Sequence, residues 1–198
     1  VSYRKAGKKS SAEKGRQTHH AKASAQIRQN GRFCIVEYTP DEYTRYYIVQ
    51  ALFKLMNEYR FEEISVSDLA RKAGVGRATF YRYFKRKEDV LIYYFDHNVM
   101  TFRAEQRYFP RCKEDYAGII SDVLSLFRKQ KEPFKLIRKA RLEHIYLDYL
   151  NAQFSRTMKA DYTVKHPYAP YLYAGMLFNV SMAWLDDDCR GEVADLTA

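Results

Sequence analysis

Seven basic residues fall between positions 71 and 87 with no acidic residue among them. They are Arg71, Lys72, Arg77, Arg82, Lys85, Arg86 and Lys87. A solvated helix face is the ordinary explanation for such a run. Here the cations surround a predicted turn between two helices, and that arrangement favours a polyanionic partner such as a nucleic acid.

Residue types that could support catalysis or metal binding do not form a recognisable arrangement. The three cysteines, Cys34, Cys112 and Cys189, are far apart and lack CxxC spacing. The histidines at 97, 144 and 166 are scattered, and no Ser/His/Asp, Cys/His or paired-carboxylate pattern can be traced. We therefore predict a protein that is not an enzyme and that has no metal site or cofactor.

The basic run lies within a pattern of three short helices. Thr39-Pro40 is typical of a helix start, and Ser65 with Asp68 three residues later suggests the start of a second helix. Gly74 supplies the backbone freedom that a tight turn requires. A third helix is predicted from Arg77 to Tyr83. Two short helices joined by this turn form a helix-turn-helix, whose second helix enters the major groove of DNA.

The predicted third helix has a buried face and an outward face. Phe80 and Phe84, four residues apart, anchor one face, so Arg77, Ala78, Tyr81 and Arg82 point outward. Arginine can donate two hydrogen bonds to a guanine. The side chains of Thr79, Tyr81, Tyr83 and Lys87 are suited to phosphate oxygens. Packing in the core is the less favoured alternative for Tyr81 and Tyr83.

The stretch from Thr44 to Leu91 resembles the DNA-binding domain of the tetracycline-repressor-like (TetR) family of bacterial regulators. The matching residues are Thr44-Arg45, Ile48, Ala51, the run from Ser65 to Ala70, Ala73-Gly74-Val75, Thr79-Phe80-Tyr81, Tyr83-Phe84 and Lys87-Glu88. Two positions depart from the family pattern. Gly76 replaces the customary serine cap of the recognition helix, and Arg86 replaces a small polar residue.

The resemblance implies a three-helix DNA-binding head on a helical body that dimerises and binds an effector. Ser65 and Ser67 would meet phosphate, Arg77 and Ala78 would face bases, and the residues after them would hold the DNA backbone. The predicted DNA-binding residues are Thr44, Ser65, Ser67, Gly76, Arg77, Ala78, Thr79, Tyr81, Arg82, Tyr83 and Lys87.

We predict an all-α fold in three parts. Residues 1–37 form a flexible basic N-terminal arm, 38–86 the helix-turn-helix domain, and 87–198 a helical-bundle effector-binding and dimerisation domain. Of the chain's net charge of +10, residues 1–40 carry +7, with nine Lys/Arg and two acids. The arm is either a solvated tail or a segment that contacts the minor groove.

Apolar clusters at helical spacing continue through the body. The helix Tyr171–Leu185 is apolar nearly all round, so it is the predicted dimer interface, through Leu172, Met176, Phe178, Met182 and Trp184. A small-molecule effector is expected against inner faces of the body, and the candidate contacts are Tyr94, Phe95, Asn98, Phe102, Leu124, Phe127 and Tyr146. If the core of the body is filled, we expect the body to bind a protein partner instead of a small molecule.

The predicted function is a repressor that binds a palindromic site in double-stranded DNA as a homodimer and is released by a small molecule. The alternative is a DNA-binding regulator or activator that a protein partner controls without a small ligand. No stretch approaches the roughly 20 apolar residues of a membrane-spanning helix, and the N-terminus lacks the apolar core of a secretory signal. We therefore expect a cytoplasmic protein without a membrane partner.

Overall fold

In the computed structural model, the described residues are 24–29, 32–37, 39–105, 113–160, 166–193 and 195. The head contains α1 (Pro40–Glu58), a 3₁₀ turn (Phe61–Glu63), α2 (Val66–Lys72) and α3 (Arg77–Tyr83). The body contains α4 (Glu88–Glu105), α5 (Lys113–Lys129), α6 (Lys131–Lys139), α7 (Glu143–Ala160) and α8 (Ala169–Asp186). A helical head and a helical body are confirmed.

The start of α1 has the capping arrangement predicted from its sequence. The Thr39 hydroxyl accepts a hydrogen bond from the backbone N–H of Glu42 at 3.3 Å, and the backbone N–H of Thr39 donates to Glu42 Oε2 at 2.7 Å. Pro40 takes the first helical position, where its missing N–H costs nothing. These contacts fix the point at which the head begins.

A β-hairpin precedes the head. The strands β1 (Ser24–Gln29) and β2 (Arg32–Glu37) pair antiparallel, with Gln29 opposite Arg32. The prediction of a flexible arm is therefore wrong for these twelve residues, whereas residues 1–23 lie outside the described part. The sequence does contain a hairpin signal, because the two residues between the strands are Asn-Gly.

One hydrophobic core runs from the head into the body. Ile48, Leu52, Leu69 and Phe80 are fully buried in the head. Burial continues through Val90 and Leu91 at the start of α4 to Leu124 and Ile137 in the body. Because α4 contributes to both regions, the recognition helix and the body are joined by packed side chains. Within the described part of the chain, no helix is long and apolar enough to cross a membrane.

Ion pairs connect α6 to the end of α8 and to the residues that follow it. Arg138 donates to both carboxylate oxygens of Asp186, at 3.2 and 2.8 Å. Asp188 lies 2.6 Å from Lys135 Nζ and 3.0 Å from Lys131 Nζ, and these two lysines lower the pKa of its carboxyl to about 2. Next to this network, the buried Trp184 donates its indole N–H to the backbone oxygen of Arg190. The end of α8 is therefore tied to α6.

Candidate nucleic-acid interface

Ser65 sets the start of α2, the first helix of the motif. Its hydroxyl accepts from the backbone N–H of Asp68 at 3.1 Å and donates to Asp68 Oδ2 at 2.6 Å. The hydrogen bond from Ser65 lowers the pKa of Asp68, with a smaller contribution from Arg71. Ser65 is thus a helix cap in this structure, and its role as a phosphate contact remains a prediction. Ser67, the second residue of α2, is exposed.

The turn between α2 and α3 depends on a glycine in the left-handed region. Gly74 has φ +71°, a conformation that is unfavourable for residues with a Cβ. The backbone N–H of Val75 then donates to the carbonyl of Ala70 at 2.9 Å and closes the turn. Gly76 occupies the cap position of α3 and has no side-chain cap, as predicted from the missing serine.

The recognition helix α3 is held from one side and open on the other. Phe80 and Phe84 are buried against the head core, and their ring centroids lie 5.7 Å apart. Arg77 and Ala78 are exposed, and 49% of the Tyr81 surface is accessible. The predicted outward face of α3 is therefore confirmed in the geometry, with its first two residues at the free end of the helix.

Most cations around the motif are paired with acids. Arg71 pairs with Asp68, Arg82 lies 3.8 Å from Asp41, and Arg86 lies 3.8 Å from Asp89. In the described residues, neither Arg77 nor Lys85 forms an ion pair. These two exposed cations are consequently the ones that can bind an external anion without breaking an internal contact.

Tyr83 connects the recognition helix α3 to α1 through contacts of its hydroxyl group and ring. Its hydroxyl donates to Asp41 Oδ1 and accepts from Arg82, while the Arg45 guanidinium lies 5.4 Å from both the Tyr83 and Tyr93 ring centroids. These contacts link α1, α3 and α4. The Thr44 hydroxyl is also engaged, because it donates to the Pro40 carbonyl at 2.9 Å.

The contacts of Lys87 differ from its predicted role as a phosphate contact. Its ammonium group donates to the carbonyls of Phe61, Glu62 and Ile64, and it lies 4.4 Å from the Phe61 ring centroid. An ammonium group has three N–H donors, so these carbonyls use its full capacity. Lys87 fastens α4 to the 3₁₀ turn. Sequence alone could not indicate this, since the acceptors are backbone groups 23 to 26 residues earlier.

The predicted effector contacts form a packed aromatic cluster. Phe134 lies 4.3 Å from Phe127, 4.9 Å from Tyr146 and 5.7 Å from Phe95, measured between ring centroids. Leu124 is fully buried beside them. Burial raises the pKa of the Tyr146 phenol. These side chains fill space in the body core and contact each other.

The remaining effector candidates belong to α4. The Tyr94 hydroxyl donates to Gln130 Oε1 at 3.1 Å, and burial raises the pKa of this phenol. The Asn98 amide donates to the Tyr94 carbonyl at 2.9 Å, within the same helix. The side chain of Phe102 lies outside the described part of the structure.

A polar contact between α4 and α7 was not predicted from the sequence. Asp96 Oδ1 accepts hydrogen bonds from Gln153 Nε2 at 3.1 Å and from the Tyr149 hydroxyl at 3.3 Å. The donors lie 53 and 57 residues beyond the acid, so no local pattern could have indicated the group. It places a carboxylate at the α4–α7 contact of the body.

The architecture and the exposed basic helix define a class of protein. The head has three helices, and the second helix of its turn motif, α3, is exposed on one face with cations beside it. This arrangement is a helix-turn-helix domain of the DNA-binding type. Residues 48–94 match the family model for bacterial regulatory proteins of the tetR family. The match covers most of the head and the start of α4, so this part of the chain is similar to the helix-turn-helix domain of that family.

Two HTH-type transcriptional regulators of Staphylococcus aureus are similar to parts of the chain. SAB2452 is 35% identical over 69 residues, which cover 35% of this chain and 36% of the relative. SACOL2593 is 31% identical over 98 residues, which cover 50% of this chain and 51% of the relative. The chain thus spans between about a third and half the length of these curated relatives. These relatives are regulators, in agreement with the prediction of a protein that is not an enzyme.

Solved structures share the fold over most of the chain. Lin0861 from Listeria innocua has a TM-score of 0.67 at 23% identity, covering 78% of this chain and 85% of that protein. The fatty acid degradation regulator FadR from Bacillus halodurans has a TM-score of 0.50 at 20% identity, covering 82% and 93%. At these identities the likeness concerns the architecture of head and body.

Proposed function

We propose that this protein is a DNA-binding transcriptional repressor that acts in the cytoplasm. The observation that carries the proposal is the geometry of α3, which Phe80 and Phe84 anchor while Arg77, Ala78 and Tyr81 remain exposed. Arg77 at the leading end would read a base edge, and Lys85 would contact phosphate. The match of residues 48–94 to the tetR family supports this assignment.

We further propose that the protein binds its operator as a homodimer. One seven-residue recognition helix covers only a few base pairs, and dimeric helix-turn-helix proteins place two such helices one turn of DNA apart. A palindromic operator follows from a two-fold symmetric dimer. This part of the proposal requires an apolar surface on the body that a second copy can cover.

Helix α8 offers such a surface. Its exposed apolar residues recur at helical spacing and include Leu172, with 69% of its surface accessible; the stripe is Tyr168, Tyr171, Leu172, Met176 and Val180. The predicted interface needs correction at its far end. Met182 and Trp184 are buried within the protomer, and Phe178 is partly buried, because that face of α8 packs on the body core. The α8 stripe is the proposed dimer surface.

Release by a small-molecule effector is the proposed form of control. Helix α4 joins the head to the body through Lys87 at one end and Asp96 further along, so a ligand that shifts α4 would also shift the recognition helix. The alternative is control by a protein partner. The packing of Phe95, Phe127, Phe134 and Tyr146 supports this alternative, because these side chains contact one another in the body core.

The test of DNA binding is selection from a pool of random duplexes with the full chain. We expect recovery of one palindromic sequence. If the dimer neutralises about six or more phosphates, its affinity should fall on the order of a thousandfold between about 50 and 200 mM salt. A pool without a preferred sequence after selection, or an affinity that does not depend on salt, would contradict the proposed function.

A further inference from the structure

The Asp96 carboxylate lies at the α4–α7 contact, where it accepts hydrogen bonds from two neutral side chains, Tyr149 and Gln153. Among the described residues, no basic group forms an ion pair with it. His97 follows it in the chain, and burial lowers the pKa of that imidazole, against smaller raising effects of Glu42 and Asp96. Charged groups that are removed from water are normally paired with an opposite charge, so a cationic group on a ligand would bind favourably at this carboxylate.

The amide oxygen of Gln153 is a further hydrogen-bond acceptor at the same α4–α7 contact. Only 8% of its surface is accessible, and its amide N–H donates to Asp96, which fixes the orientation of the amide. The amide oxygen is buried and has no hydrogen-bond partner in the described part of the structure. Leaving a buried acceptor unsatisfied costs free energy, which a donor on a ligand would recover.

Aromatic and apolar surface adjoins these acceptors. The Tyr149 ring lies 5.6 Å from the Phe95 ring, and the Tyr149 hydroxyl already donates to Asp96. Aromatic rings attract cations and also accept the apolar part of a ligand. Asp96 is partly exposed, so solvent reaches the carboxylate, whereas Gln153 lies deeper. The contact therefore combines an accessible negative charge, a buried acceptor and an aromatic wall.

We propose that Asp96, Gln153 and Tyr149 form the effector site, and that this site selects ligands with a protonated, hydrogen-bond-donating nitrogen on an apolar body. The inference rests on the proposed function for its regulatory meaning. Its chemical content is independent of DNA, because the selectivity belongs to the carboxylate and the amide oxygen. A ligand ammonium would donate to Asp96 and to Gln153 Oε1.

Three probes that share a phenyl ring and four methylene groups and differ in their polar head test the site: phenylbutylammonium, phenylbutanol and phenylpentanoate. Calorimetric titration of the full chain should show binding of the ammonium about tenfold or more tighter than the alcohol, and little binding of the carboxylate. Equal binding of the three probes, or no binding of the ammonium, overturns the proposal. This comparison uses the unmodified protein, so it does not depend on the folding of a variant.

Asp96→Asn is the matched variant, because an asparagine oxygen still accepts from Tyr149 and Gln153 but carries no charge. We expect its affinity for the ammonium to fall to within about threefold of that for the alcohol. Asp148→Asn removes an exposed acid from the same helix α7 and should keep the full preference. If Asp96 only ties α4 to α7, Asp96→Asn will lower stability and leave the probe preference unchanged, which also overturns the proposal.

Operator binding separates this site from the proposed function. Phenylbutylammonium should weaken operator binding by the wild-type protein more than by Asp96→Asn at the same concentration. If the operator is bound but the probes are not distinguished, DNA binding stands and the site is refuted. If the ammonium is selected and no duplex sequence is preferred, the site stands and the repressor proposal fails.

Discussion

Arg77 and Lys87 are both cations of the helix-turn-helix, but their surroundings assign them opposite tasks. Arg77 is exposed at the leading end of α3 and forms no ion pair in the described residues. Lys87 donates to the backbone carbonyls of the 3₁₀ turn. The charge is the same, but Lys87 is engaged by the fold, whereas Arg77 is the cation that we propose for contact with DNA.

Arg77→Ala should reduce discrimination between DNA sequences. If Arg77 makes two hydrogen bonds to a guanine, its loss should cost about 1–3 kcal/mol at that base pair and relax specificity there. Fluorescence anisotropy with the selected operator and its single-base variants measures the effect. Lys85→Met is the control, because loss of a phosphate contact should weaken all duplexes alike and lower the salt slope by about one. Unchanged discrimination in Arg77→Ala would refute the base-reading role.

Lys87→Met should destabilise the fold by about 1.5–3 kcal/mol, because hydrogen bonds to a charged group are lost and the carbonyls of Phe61 and Ile64 lose their donor. Urea unfolding followed by circular dichroism gives the free energy of unfolding. Lys85→Met, at an exposed lysine two residues earlier, should remain within about 0.5 kcal/mol of the wild type. Equal stability of the two variants would show that the contacts of Lys87 do not stabilise the head.

At the scale of elements, the capping box of α1 should give the head a specific pH dependence. The backbone N–H and then the hydroxyl of Thr39 lower the pKa of Glu42 below its ordinary 4.5. A carboxyl whose pKa is lower in the folded state stabilises fully above its unfolded value, and that contribution is lost as the pH falls through the folded value.

Glu42→Gln tests this dependence, since glutamine can keep the capping geometry without titrating. Between about pH 6 and pH 3, the free energy of unfolding of the wild type should fall by more than that of Glu42→Gln. Urea unfolding at both pH values provides the comparison. Parallel losses in the two proteins would mean that the Glu42 carboxylate does not contribute through this cap.

The helices of the head could be predicted because their signals are local. Thr39, Ser65 and Gly74 act within four residues of themselves, and the spacing of Phe80 and Phe84 determines which face of α3 is buried. The hairpin differs from the predicted flexible arm although its Asn-Gly signal is present, because a composition rich in Lys, Ser, Ala, Gln and Gly with few apolar residues favours disorder. Local chemistry therefore predicts the motif.

The contacts that join elements could not be predicted in this way. Lys87 binds carbonyls more than 20 residues away, and Asp96 meets donors on α7 more than 50 residues away. The effector prediction followed apolar periodicity, which identifies residues that pack and so selected the filled core around Phe134. A polar contact between two helices produces no periodic pattern in the sequence of either helix.

At the scale of the whole molecule, the α8 stripe should control the oligomeric state. Met176 lies within the stripe and 47% of its surface is accessible, so Met176→Glu would place a charge inside the proposed dimer interface. Analytical ultracentrifugation at micromolar concentration should show a dimer for the wild type and a monomer for this variant. The variant should also lose affinity for the full palindrome.

Ile92→Glu is the matched control for the interface. Ile92 on α4 is an apolar residue of similar exposure, 42%, but it lies outside the α8 stripe. This variant should sediment as a dimer. A wild-type monomer at micromolar concentration, or a dimeric Met176→Glu, would remove α8 as the interface.

Trp184 gives the molecule an optical property. It is the sole tryptophan of the chain, it is buried in α8, and the Arg128 guanidinium lies 5.9 Å from its ring centroid. Excitation at the red edge of the indole band, where tyrosine does not absorb, therefore yields emission from the body alone. The quantum yield and wavelength of that emission follow the packing at the α8–α6 junction, so one unlabelled sample reports body rearrangement in real time while the head stays spectroscopically silent.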